Sequence, residues 1–262
     1  MTISNTENST PLYGVEKPFF VQSKEGLDFI LSHFEDFVWP RTISTKMTRG
    51  RQILVFNKEE ALARFTQSNF LDCRISAYPN TKYTRRTHQK PNLLFIDLDS
   101  QALDLDKELE HTLSNIKVKF ENETIEPTVL WSGKGYHVYL PIDAIALEQE
   151  SLFEDIEVYD PSRRFMQWAE QYLTSNKADP CHSKGVSFNN CMLRVPGSIN
   201  SKVGKEVRII QRWNGVKPSI RPLLYDFYID LADRKLMEIQ GIKVKEPASS
   251  TRKFYAYWRS KK

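Results

Sequence analysis

The sequence predicts an α/β (α+β) fold, and three features of its patterning predict it. Apolar residues recur at helical spacing in several stretches, and short runs rich in Val, Ile, Thr and Tyr lie between them and read as strands. One of those runs, Asn92-Leu-Leu-Phe-Ile-Asp97-Leu-Asp99-Ser100, breaks into two carboxylates just before a polar turn. Apolar residues make up 40% and charged residues 27% of the 262 positions. That is ordinary for a water-soluble chain with one large domain, or two small ones sharing a core. The formal net charge of +4 permits a polyanionic partner without requiring one.

Cys73, Cys181 and Cys191 are too few and too scattered for a disulfide framework, so a reducing cytoplasm is expected. The opening MTISNTENSTPLYG has neither the apolar core nor the basic flank of a signal peptide. No run approaches the roughly eighteen apolar residues of a membrane span, and no membrane partner is expected.

In chain order, residues 1–18 are rich in Ser, Thr, Asn and Pro and read as a loose tail. Ser23 is the expected N-cap of a helix whose stripe is Leu27, Ile30, Leu31 and Phe34, with Pro40 ending it. Thr42 to Thr48 and Gln52 to Phe56 read as a hairpin around Arg49-Gly50-Arg51. A helix over Lys58 to Ser68 and a strand around Cys73 to Tyr78 follow. The stretch NTKYTRRTHQK then carries Lys82, Arg85, Arg86 and Lys90 without apolar periodicity. It is either a solvated loop or a contact for a phosphate backbone.

In the acidic strand, alternation puts Asp97 and Asp99 on one face while Ile96 and Leu98 enter the packing. Two such acids repel unless a cation neutralises them or one takes up a proton. Hard divalent cations prefer carboxylate oxygen, and a metal pair about 4 Å apart is a common clamp for phosphoryl transfer. The alternative for the acids alone is that they cap the next helix. That helix is expected from Leu103 to about Phe120, with Asp104 and Asp106 as structural acids in its first turn.

Thr128 to Trp131 is a strand running into Ser132-Gly-Lys134-Gly-Tyr-His137 and returning as Val138 to Ile142. The two glycines allow a sharp turn whose N–H groups, with Lys134 and His137, suit a phosphate; a plain hairpin is the alternative. After an acidic stretch to residue 160, a helix is expected over Ser162 to Asn176. An irregular segment then carries Asp179, Arg194, Ser198, Asn200 and Lys202 in a density of polar groups that regular packing does not explain. A strand over Glu206 to Trp213, a helix over Leu223 to Ile239 stopped by Gly241, and a basic, aromatic tail at 241–262 complete the chain.

Three of these segments together resemble the catalytic core of the archaeo-eukaryotic primase superfamily, the primase-polymerases. FIDLD at 95–99 resembles its apolar strand ending in D-x-D, SGKGYH at 132–137 its S-x-G-x-H turn, and Ala178-Asp179 its later apolar-Asp step. LRVPGSIN at 193–200 is similar to the Arg-x-Pro-Gly-Ser segment that follows in many members. The resemblance covers roughly residues 50–215. It implies a two-part core within residues 19–240: an N-terminal αβ unit (about 19–90), an RRM-like antiparallel-sheet unit (about 91–215) and a C-terminal helix (about 222–240).

The function it implies is a DNA primase or primase-polymerase, joining NTPs or dNTPs on a single-stranded DNA template and primer. Asp97, Asp99 and Asp179 would hold two Mg²⁺ or Mn²⁺ ions, with Asp160 the alternative third acid. Ser132, Lys134, His137, Arg194, Ser198, Asn200 and Lys202 would bind the nucleotide, and Lys82, Arg85, Arg86 and Lys90 the nucleic acid. Many relatives carry zinc; Cys181, His182 and Cys191 offer ligands but lack paired C-x-x-C spacing. A helicase or second primase subunit is an expected partner, in a nucleoid-associated, plasmid or viral replication complex. The other functional class is a degenerate core that binds single strands or a replication partner without chemistry.

Overall fold

The computed structural model describes residues 16–34, 39–80, 92–99, 104–144 and 161–242. Helix α1 (Glu16–Leu31) leads into the hairpin β1 (Arg41–Ser44) and β2 (Ile53–Val55). Helix α2 (Lys58–Gln67) and strand β3 (Arg74–Ser76) follow. Next come β4 (Leu93–Leu98), α3 (Leu105–Phe120), β5 (Thr128–Trp131) and β6 (Tyr136–Pro141). The chain ends with α4 (Pro161–Leu173), α5 (Pro180–Gly185), β7 (Met192–Arg194), β8 (Ile199–Asn200), β9 (Lys205–Glu206), β10 (Arg208–Gln211) and α6 (Arg221–Ile239).

Two four-stranded sheets, ordered β2-β1-β3-β7 and β10-β5-β6-β4, are antiparallel throughout, and β8 and β9 form a small ladder. Mixed helices and antiparallel sheets are the α+β class the patterning predicts. The strand alternation divides the core in two. Leu94, Ile96, Leu98, Val129, Val138 and Leu140 pack against the helices, meeting Ile116, Phe165, Ala169 and Phe227. Leu93, Phe95, Leu130 and Tyr139 point the other way and join the core of the first sheet, with Ile43, Ile75 and Leu193. Asp97 and His137 lie on that inner face, because each alternates with residues of the helical side.

Local signals place several boundaries well. Asn57 caps α2 by accepting the Glu60 N–H at 2.8 Å, and Glu60 reaches back to the Phe56 N–H at 2.9 Å. Asp104 caps α3 through the Lys107 N–H, and Asp106 accepts the Tyr136 hydroxyl at 2.6 Å, so both acids are structural. Gly241, with φ of 73°, stops α6.

Two readings are corrected. Ser23 is not an N-cap: α1 begins at Glu16, and the enclosed Ser23 hydroxyl donates to the Gly197 carbonyl at 3.1 Å. One turn on, a Cβ at Gly26 would stand 2.1 Å from the Pro196 carbonyl oxygen, so α1 packs there with backbone nearly touching backbone. The helix also ends at Leu31, well before Pro40. The second correction is topological. Strand β7 leaves the expected RRM-like unit and pairs with β3, so the first sheet takes its fourth strand from late in the chain. Among the described residues, no helix is long and apolar enough to cross a membrane.

Candidate active site

Strand β4 forms one edge of the second sheet, and what covers that edge builds the site. Asp97 pairs with His137 of β6, yet its backbone groups turn away from β6. The Asp97 N–H donates to Glu170 Oε1 of α4 at 2.9 Å, and its carbonyl accepts the Asp179 N–H at 2.8 Å. Asp97 and His137 are therefore a non-hydrogen-bonded pair, the kind in which side chains stand closest. His137 Nε2 is 3.5 Å from Asp97 Oδ1. Asp179 in turn caps α5, accepting the Cys181 N–H at 2.8 Å.

The turn between β5 and β6 lies against the end of the acidic strand. A Cβ at Gly135 would fall 2.0 Å from the Leu98 carbonyl oxygen, so only glycine permits this approach. Ser132 closes the turn, its N–H donating to the Gly135 carbonyl at 2.8 Å and its Oγ accepting the Gly135 N–H at 3.2 Å. Lys134 reaches across to Asp99, with Nζ 2.8 Å from Oδ1.

Electrostatics follow from this crowding. Burial pushes the Asp97 carboxyl up to about 6; His182 opposes the rise, while Glu170, Asp179 and Asp99 add to it. The Lys134 ammonium is held above its ordinary value by its bond to Asp99, with Asp179 and Asp97 contributing. Burial drives His137 well below its usual range, aided by Arg194, His182 and Arg74, so the ring is neutral. Its tautomer is set by its neighbours: the Arg194 N–H donates to Tyr139 Oη at 3.0 Å, and the Tyr139 hydroxyl stands 3.1 Å from His137 Nδ1. With Oη already accepting, the hydroxyl proton goes to Nδ1, which leaves Nε2–H directed at Asp97.

In the first sheet, Arg74 of β3 and Arg194 of β7 stand directly opposite each other. The Arg194 side chain is 8% exposed; Nη1 is 3.6 Å from Asp72 Oδ1 and makes no hydrogen bond. Asp72 also accepts from the backbone N–H and hydroxyl of Ser201. Two facing arginines repel unless an anion joins them.

The structure thus brings Asp97, Asp99, Asp179, Lys134, His137 and Arg194 within electrostatic reach of one another. Three other residues are set apart. Ser198 is fully enclosed and its hydroxyl donates to the Val195 carbonyl at 2.6 Å, within a turn. Asn200 is buried too, and its Nδ2 donates to the Ser132 carbonyl at 2.8 Å, stapling the Gly turn in place. Lys202 is exposed on the loop between β8 and β9. Lys82, Arg85, Arg86, Lys90 and Asp160 lie outside the described residues. Sequence reasoning missed Arg74, Tyr139, Glu170 and, as a partner of the acids, His182. Only the cross-strand and helix contacts reveal them.

Among the described residues, no group of three or more His, Cys, Asp or Glu side chains stands ready to hold a metal ion. The zinc ligands do not gather: Cys181 is exposed, Cys191 is buried, and His182 Nδ1 is bonded to Glu170. The acidic trio differs in kind. Its donors are all carboxylate oxygens, and a hard divalent cation would offset the burial that chiefly lifts Asp97 and the smaller repulsion that Asp179 and Asp99 add. In donor chemistry the trio fits Mg²⁺ or Mn²⁺.

No family model and no curated protein matches the chain. Among solved structures it is similar to a primase, RepB′, at 15% identity and a TM-score of 0.49, over 83% of this chain and 67% of that one. It is also similar to the AEP domain of a primase-polymerase from cyanophage S-2L, at 12% identity and a TM-score of 0.47, over 76% of this chain and 96% of that one.

Proposed function

We propose that the protein is a template-dependent nucleotidyltransferase, a DNA primase or primase-polymerase acting on single-stranded DNA. The observation that carries this reading is the meeting of Asp97 and Asp179 through one backbone hydrogen bond, beside Asp99 and facing the cationic Arg74–Arg194 pair. An acidic pole with a cationic pole close by suits a substrate that is itself a chelated polyanion, as a nucleoside triphosphate is.

Asp97, Asp99 and Asp179 would hold the divalent ions, which when bound neutralise phosphate charge and activate a primer hydroxyl. Lys134 and Arg194 would bind the triphosphate. His137, kept neutral by burial, offers Nε2–H as a donor at the acids without adding charge to them. Positioning and charge stabilisation make up the chemistry, with no covalent intermediate. The rival reading, a module that binds single strands without catalysis, is favoured by one feature: the described acids do not stand as a ready cation site.

The test is incubation of purified protein with unprimed single-stranded DNA, Mn²⁺ or Mg²⁺ and labelled NTPs or dNTPs, with Asp97→Ala/Asp99→Ala as control. Products in wild type alone are expected. Extension of an annealed primer without initiation would make it a polymerase. Binding of single strands without either activity would select the rival reading.

A further inference from the structure

We propose that Glu170 and His182 are positioning residues that set the separation of Asp97 from Asp179, and that they do so through one shared carboxylate oxygen. This rests on the metal-site reading above and assigns a role to residues outside the acidic trio. Glu170 Oε1 accepts the Asp97 backbone N–H at 2.9 Å and the His182 Nδ1–H at 2.7 Å. It therefore ties the strand that carries Asp97 to the short helix that Asp179 caps. The same two segments meet again where the Asp179 N–H donates to the Asp97 carbonyl. These two links brace one junction from both sides.

Packing holds the brace rigid. The Glu170 side chain is 1% exposed, and the His182 ring lies 4.2 Å from the Phe95 ring on the inner face of the second sheet. Glu170 Oε2 and His182 Nε2 are buried without hydrogen-bond partners. Buried polar atoms left unsatisfied are costly, and a merely structural junction would be better served by apolar side chains. An ionic brace at this place makes sense if what it holds must stay in register.

The experiment measures Mn²⁺ binding to the whole chain by the electron paramagnetic resonance of the free ion, with thermal melting as the fold control. Wild type is expected to take up Mn²⁺ saturably and Asp97→Asn to lose that uptake. His182→Ala is expected to bind about tenfold more weakly, whereas His182→Asn, whose amide nitrogen can donate where Nδ1 does, stays within about threefold of wild type. Glu170→Ala removes one member of a buried pair and can unfold the chain, so the His182 variants decide. Wild-type affinity in a folded His182→Ala, or equal weakness in His182→Ala and His182→Asn, would overturn the positioning role alone. Absence of Mn²⁺ uptake by wild type would instead remove the metal reading, and the positioning role with it.

Discussion

Asp97 is held where its own charge is disfavoured, and that gives a pH signature. Its folded-state pKa of about 6 lies above the ordinary 3.8, so between those values the folded chain binds more protons than the unfolded one. Stability therefore falls as pH rises through this window when divalent cations are absent, by on the order of 3 kcal/mol for the full shift. Asp97→Asn should accordingly raise the melting temperature at pH 7.5 in EDTA, with the gain shrinking towards pH 4; an equal gain at both pH values would contradict the upward shift of the Asp97 carboxyl. Added Mn²⁺ should restore wild-type stability at pH 7.5 and leave Asp97→Asn unmoved. Arg194→Ala belongs to the same scale. Its main effect should be a raised nucleotide KM in the primer-extension assay, and an unchanged KM would take Arg194 out of the triphosphate site. Asp97 in β4 and Asp99 just past its end were legible because alternation in a strand is a local property. Arg74 was not, since nothing near it in sequence marks it as the neighbour of Arg194.

At the scale of elements, the close approaches carry the prediction. The Gly turn can lie on the end of β4 only while residue 135 lacks a side chain. Gly135→Ala should destabilise the fold by about 1–3 kcal/mol. It should also reduce synthesis beyond what the lower stability explains, because the displaced turn carries Lys134 away from Asp99. A folded Gly135→Ala variant of normal activity would show that this close approach is dispensable. Helix α1 illustrates the converse. Its stripe of Leu27, Ile30 and Phe34 was legible from periodicity, and all three are buried. Its start was misjudged, because Ser23 resembles a cap locally yet is used in a tertiary hydrogen bond to Gly197. Ser198 and Asn200 also bond within or against turns, a use that a polar side chain in an irregular segment does not announce in sequence.

For the whole molecule, the two sheets share one core, and the acidic pole of the second sheet faces the arginines of the first. The basic stretch that precedes β4 in the sequence is the expected contact for a single strand. Neutralising Arg85 and Arg86 together should weaken single-strand binding and lower its salt slope by about 0.7 for each phosphate that these arginines neutralise. An unchanged slope would return that stretch to ordinary surface.

The sequence by itself determined the α+β class, the helical stripes, the acidic strand and the glycine turn. Each of these is encoded in residues a few positions apart, through periodicity and turn chemistry. Only the tertiary structure decided that Asp179 stands beside Asp97, that Glu170, 73 residues along, accepts from its backbone, and that Arg74 faces Arg194. Those choices depend on which strand edge a later segment covers and on the register of β7 against β3. They are settled by burial of the whole core, which no short stretch of sequence records.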